Sequence, residues 1–259
     1  MNSDAQMSGL SFFKSRASSM NKKRAGIGAI INNAVNICQY HENKFNNYDI
    51  YIQHKELEML FNFEKKYPAN FYTYDIEKDY IDNLIPNPSN AHNIVSMELV
   101  KAKRLVFESI FKFKDLETLV LKAEEFAGRK TLGIQLRGTD KSGEITPPSL
   151  ADIHQKIDTY FDQFDINNIY LATDDSYYLE GLSKRYKRIL AADYTHKISK
   201  KGKPIHLRRS RKKINFQMIE DAYVLSKCPY LIYSHSNVSY FALTLGAGDF
   251  NKVGHASLE

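Results

Sequence analysis

Apolar positions along the chain follow two alternating rhythms. "AGIGAIINNAVNICQYHENK" (Ala25–Lys44) opens on a Gly-containing turn and then places Ile30, Ala34, Ile37 and Cys38 on one face, the spacing of an amphipathic helix. "YDIYI" (Tyr48–Ile52) reads as a strand, Lys55–Lys66 as a helix and "NFYTYD" (Asn70–Asp75) as a second strand. The two prolines of "IPNPSN" (Ile85–Asn90) require a loop. Helices follow over 93–111 and 114–127, and Gly128 supplies the stop for the second.

From residue 131 the alternation restarts. It predicts a strand over 131–136, a helix near 149–164, a strand over Asn168–Thr173, a helix near 176–186 and a short strand over Arg188–Leu190. A basic segment, a helix near 215–227, a strand over Tyr230–Ser234 and a helix near 237–246 complete it. Strand–helix alternation of this kind builds a mostly parallel sheet covered by helices. The expected class is α/β, with two Rossmann-like lobes. A loosely held segment occupies 1–24, a smaller α/β lobe 25–118 and a Rossmann-like lobe 119–259. There is no internal repeat.

Charge narrows the partners. The net charge is +6 over 259 residues, with a pI near 9.0, a balance that suits an anionic ligand or simply a soluble surface. Cys38 and Cys228 are the only cysteines, which offers no disulfide framework and fits a reducing compartment. No apolar run approaches the roughly 18 residues of a membrane span. Met1–Lys23 lacks the apolar centre of a secretory signal. The expected location is the cytoplasm.

Three predicted strands end in polar clusters: "RGTDKSGE" (Arg137–Glu144), "TDDS" (Thr173–Ser176) and "SHSNVS" (Ser234–Ser239). In an open parallel sheet such ends share one edge, where ligands bind. Arg137, directly after its strand, offers a two-point contact to a phosphate, Gly138 lets backbone come close to a ligand, and Lys141 adds a second cation. Together they suit charge that builds on a departing phosphate. The alternative for Arg137 is a structural pair with Asp140 or Asp174. Glu144 is the carboxylate nearest the cations and a candidate general base, or else a solvated loop residue. Asp174 and Asp175 fit loop support and helix capping better than catalysis. Asp221 lies on a helix, where it is either a nucleobase acceptor or a surface residue. Ser236 and Asn237 open the last helix, either as an anion site or as a plain cap.

The segment His196–Phe216 is the most cationic stretch. It is either solvated, closed over a diphosphate, or in contact with anionic lipid or nucleic acid. Few aromatics interleave its cations, which argues against nucleic acid. Other motifs are missing from the sequence. There is no P-loop, "GIGAII" (Gly26–Ile31) has two of the three glycines of a dinucleotide fingerprint, and no His/Cys spacing suits zinc. There is no D-x-D for a metal-bound diphosphate and no G-x-S-x-G turn. No metal site is expected.

"GIQLRGTDKSGE", "IYLATDDSYYLEGL" and "IEDAYVLSKCPYLIYSHSNVS" together resemble the core α1,6-fucosyltransferases, with bacterial nodulation-factor fucosyltransferases and protein O-fucosyltransferases as more distant relatives. The resemblance covers about 130–245, and "AGIGAIINNAVNICQY" is similar to the start of the family's first lobe. The family motif H-x-R-R-T-D-K stands here with Gln135 in place of His and Gly138 in place of the second Arg. The resemblance implies a GT-B-like fold, with 25–118 on the acceptor side and 119–259 binding a nucleotide sugar. It also implies GDP-fucose as co-substrate, inversion at the transferred sugar, and no cofactor or metal. By position, Arg137 meets the β-phosphate, Lys141 lies beside the departing diphosphate, and Asp221 reads the guanine. Ser236 and Asn237 lie near the phosphates, and Gln135 and Gly138 near the donor. Glu144 lies three residues after Lys141, whereas the family's Glu lies four after its Lys; Ile145 holds that position here. The expected acceptor is a glycan, free or lipid-linked, with membrane contact through the basic segment at the inner face. No coiled-coil stem or extra domain is seen, which suits a bacterial-type soluble enzyme. The rivals are a glycosyltransferase using another nucleotide sugar, a basic nucleic-acid-binding protein, and a catalytically silent glycan-binding relative.

Overall fold

A computed structural model of the chain describes residues 9–14, 27–28, 30–32, 34–35, 48–53, 55–63, 97–128, 130–138, 147–187, 189–191, 199, 211–246 and 255–257. The strand expected over Asn70–Asp75 lies outside them. The chain divides into two compact units, Met1–Lys114 and Asp115–Glu259.

In the first unit β1 (Gly9–Lys14) pairs in parallel with β2 (Tyr48–Gln53). The segment read as loosely held therefore contains a strand. Ile27, Ile30, Ile31, Ala34 and Val35 are buried in helical backbone, as their spacing requires. The helix begun at Lys55 ends early: α1 (Lys55–Leu60) passes straight into β3 (Phe61–Phe63). Likewise α2 (Met97–Ile110) passes into β4 (Phe111–Phe113). β3 and β4 pair antiparallel, Phe61 opposite Phe113. Both triplets read aromatic–polar–aromatic, a period of two, and cross-strand aromatic pairing outweighs the helical rhythm here. The Phe61 ring lies 5.8, 5.4 and 5.1 Å from those of Phe107, Phe111 and Phe113, at angles that favour edge or tilted contacts.

The second unit starts with α3 (Leu116–Phe126), whose N-cap Asp115 accepts from the Thr118 amide. β5 (Thr131–Leu136), α4 (Leu150–Gln163), β6 (Asn168–Thr173), α5 (Ser176–Arg185) and β7 (Ile189–Ala191) follow. Then come α6 (Arg211–Lys227), β8 (Tyr230–Tyr233), α7 (Asn237–Gly246) and β9 (His255–Ser257). The sheet runs β7-β6-β5-β8-β9 and every pairing is parallel. β9 was not expected: three residues are too few to show a rhythm. Among the described residues no helix is long and apolar enough to cross a membrane.

A parallel sheet needs both faces covered, and β5 shows how. Leu132, Ile134 and Leu136 face a core made with Ile153 and Ile157 of α4, Tyr178 and Leu182 of α5, Ile169 and Leu171 of β6 and Ile232 of β8. Burial of each such aliphatic side chain stabilises by about 1.5–3 kcal/mol. The opposite face carries Thr131, Gly133 and Gln135. A Cβ at Gly133 would stand 3.0 Å from Leu225 Cδ2 and 3.1 Å from Cys228 Cβ, so the missing side chain is what lets α6 approach.

Tyr178 lies in the apolar core, and its hydroxyl donates to the Pro148 carbonyl at 3.0 Å. Burial, then the carboxylate of Asp175, pushes that hydroxyl from its ordinary 10.0 up to about 12. A group whose folded pKa is raised stabilises the fold fully below its unfolded pKa and loses that contribution as pH rises through the folded one. An alkaline titration should therefore show unfolding and tyrosinate absorbance rising together above about pH 10. Full ionisation of Tyr178 at pH 10 in a folded chain would contradict this.

Candidate functional site

β5 lies between β6 and β8, and β6 and β7 continue the sheet to one side while β8 and β9 continue it to the other. The carboxyl end of β5 is thus the point where strand order reverses, the place where open parallel sheets bind ligands. Arg137 and Gly138 come directly off β5, Asp174 and Asp175 off β6, and Ser234, His235, Ser236 and Asn237 off β8. The three polar strand ends share one edge of one sheet.

Asp174 organises the first two residues after β5. Its Oδ1 accepts from the Gly138 amide at 3.1 Å. Its Oδ2 lies 3.8 Å from Arg137 Nε, with the two side chains 9% and 15% exposed. That separation exceeds hydrogen-bond range, so the attraction is between charges and turns one edge of the guanidinium toward the carboxylate. Asp175 is the N-cap of α5 and accepts from the Tyr177 amide at 3.0 Å. A Cβ on Gly138 would stand 2.3 Å from Asp175 Oδ2 and 2.8 Å from its Cβ, so only glycine fits between the two strand ends. Ser199 docks on the same edge: its amide donates to the Asp174 carbonyl at 2.9 Å and it bridges Asp175.

Gln135 does not reach outward. It is buried, and its Oε1 accepts from Ser234, Ser236 and Ser239 hydroxyls at 3.1, 3.0 and 2.6 Å. Ser236, expected beside the phosphates, turns its hydroxyl inward too, where it also caps α7 by accepting from the Ser239 amide at 3.1 Å. That bond takes up the Ser239 amide; the amides of half-buried Asn237 and of Val238 have no carbonyl within the helix to bond.

Asp221 was expected to read a base. It lies in α6 against the sheet face, 4% exposed, and its Oδ1 accepts from the Tyr170 hydroxyl at 2.7 Å. Tyr170 is fully buried on β6. Tyr170→Phe removes a donor from a buried carboxylate and should lower stability by about 1.5 kcal/mol, read from urea melts; an unchanged midpoint would show that the bond adds nothing.

The sequence reading assigned no role to His235. It stands two residues past the end of β8, with Nδ1 2.6 Å from the Tyr240 hydroxyl and its ring 5.9 Å from those of Tyr233 and Tyr240. A His within a polar strand end, followed five residues on by a helical Tyr, was the available signal. Asp140, Lys141 and Glu144 lie outside the described residues, as does the basic segment apart from Ser199 and 211–216. A shallow groove between α4 and α5 is lined by His154, Asp158, Asp162 and Arg185. Asp158 there is paired with Arg185 and accepts from the Tyr186 hydroxyl, and no strand end contributes to it.

No family model matches the chain and no curated protein sequence matches it. Solved structures do. NodZ alpha-1,6-fucosyltransferase soaked with GDP-fucose is similar at a TM-score of 0.54 and 14% identity, over 92% of this chain and 93% of that one. Fucosyltransferase NodZ from Bradyrhizobium gives 0.56 and 13%, over 91% and 93%. A point mutant of Arabidopsis thaliana FUT1 in complex with GDP gives 0.57 and 10%, over 98% and 71%. At these identities the likeness is one of fold: the chain has the GT-B-like α/β architecture of these fucosyltransferases, with a Rossmann-like second unit.

Proposed function

We propose that the chain is a glycosyltransferase that moves fucose from GDP-fucose to a glycan hydroxyl, with inversion and without a metal. The observation that carries this reading is Arg137, with Gly138 behind it, emerging at the reversal of strand order beside the first turn of α7. The fold it shares with fucosyltransferases solved with GDP-fucose or GDP supports the choice of donor.

In this reading the acceptor hydroxyl attacks the anomeric carbon and its proton passes to the Glu144 carboxylate. The bond from that carbon to the β-phosphate oxygen breaks, and the electron pair leaves on GDP. Arg137, Lys141 and the first-turn amides of α7 take up the growing charge, with Asn237 beside them. Asp174 orients the Arg137 fork; Asp175 and Asp140 support the loop. Asp221, whose Oδ1 accepts from the Tyr170 hydroxyl, is the proposed acceptor for the guanine N1–H and exocyclic amine. A lipid-linked acceptor would bring the basic segment 196–216 to an anionic membrane face.

Thermal shift with GDP, GDP-fucose and a set of UDP-sugars tests the donor, and GDP release with candidate glycans tests transfer. Stabilisation by GDP and GDP-fucose alone is the expected result. Stabilisation by UDP compounds alone would replace the donor, and stabilisation by none would overturn the reading. A second reading, donor binding without turnover, is favoured by the Asp174 carboxylate beside Arg137, which offsets part of the cation's charge. It predicts GDP binding with no glycan-dependent release.

A further inference from the structure

We propose that Gln135 is the positioning residue of the diphosphate grip: it sets the strand-end Arg137 and the start of α7 relative to each other without touching the donor. The proposal rests on the donor reading above. Two relays converge on one carbonyl oxygen. In the first, the Arg137 amide donates to Ser234 Oγ at 3.0 Å, and that hydroxyl donates to Gln135 Oε1 at 3.1 Å. In the second, the Ser239 amide donates to Ser236 Oγ at 3.1 Å, and that hydroxyl donates to Gln135 Oε1 at 3.0 Å. Ser239 Oγ stands 2.6 Å from the same oxygen and 2.7 Å from the Ser234 carbonyl, and its single proton serves one of them at a time.

The first relay begins on the backbone that carries the guanidinium. The second begins on the first turn of the helix whose amides face the phosphates. Gln135 is 4% exposed and the three serines are fully enclosed, so the amide acts through its neighbours. The sheet already fixes the two backbones, with the Ser234 amide donating to the Gln135 carbonyl at 2.9 Å. The side chain adds the setting of α7. An apolar side chain at this position would leave three enclosed hydroxyls competing for too few acceptors, and they would turn to other partners. A grip that shifts by a fraction of an ångström loses much of its preorganised attraction.

The test compares dissociation constants for GDP and guanosine on the full chain in wild type, Gln135→Met and Ser239→Ala. The ratio of the two constants reports the diphosphate alone. In Gln135→Met, GDP should bind about tenfold more weakly with guanosine unchanged, and in Ser239→Ala about threefold more weakly. An unchanged ratio in folded variants, or equal weakening of both ligands, would reduce Gln135 to a packing role and overturn the proposal. If Gln135→Met does not fold, Ser239→Ala decides by the same ratio. Wild type binding neither ligand would instead bring down the donor reading, and this proposal with it.

Discussion

Arg137→Ala should lower glycan-dependent GDP release by about 10²–10³-fold, the effect of removing one preorganised donor from a developing charge. The backbone bond from residue 137 to Ser234 Oγ survives the substitution, since it uses the amide. Asp174 loses a cation but keeps the Gly138 amide. Its contact with Arg137 is 3.8 Å long, beyond hydrogen-bond reach, but the two side chains are 9% and 15% exposed, so removing the cation strands an enclosed carboxylate and should cost about 3 kcal/mol, or about 6–12 °C in Tm for a chain of this size. Arg137→Lys should fall between, since it keeps the charge and loses the planar fork. If Arg137 were only the partner of Asp174, the folded Ala variant would turn over at the wild-type rate and the loss would appear in Tm alone. GDP release and a melting curve on the same samples separate the two.

Gly138→Ala should cost about 3 kcal/mol. The new Cβ would stand 2.8 Å from Asp175 Cβ, and no rotation of the Asp175 side chain moves its own Cβ. The main chain must shift instead. That shift strains the α5 cap, which contributes about 1 kcal/mol, and the Gly138–Asp174 bond, about 1 kcal/mol, with overpacking added. Tm should drop by about 6–12 °C. Asp175→Gly removes the obstructing Cβ, so Gly138→Ala should cost less in that background, a coupling that a double-mutant cycle measures. Additive losses would place the strain elsewhere.

Much of the second unit was legible because its strands and helices keep regular apolar periods. In "TLGIQL" the even positions 132, 134 and 136 are aliphatic and the odd ones are Thr, Gly and Gln, and the two faces of β5 divide along that line. Strand order was not legible, since nothing local tells β6 and β8 on which side of β5 to lie. The same limit hid the inward turn of Ser236: a helix start shows its capping residues in sequence but not which side of them faces the core. Asp221 read as either a nucleobase acceptor or a surface residue, and its burial against Tyr170 was not legible because that partner is 51 positions away. In the first unit, helical rhythm ran on past Leu60 and Ile110, and only the pairing of the two Phe-x-Phe triplets ended it.

The serine-lined junction also constrains how the chain matures. Its bonds join residues 97, 99, 101 and 104 positions apart. On a ribosome, β5, β6 and β7 emerge together and can associate early, while the closing partners arrive after nearly all of the second unit has been made. Contacts of such wide separation form slowly. Until β8 docks, one flank of β5 stays unpaired and open to neighbouring chains. The strand-end junction is thus completed late, once β8 and the start of α7 have docked, and under the donor reading acquisition of nucleotide affinity would time that step.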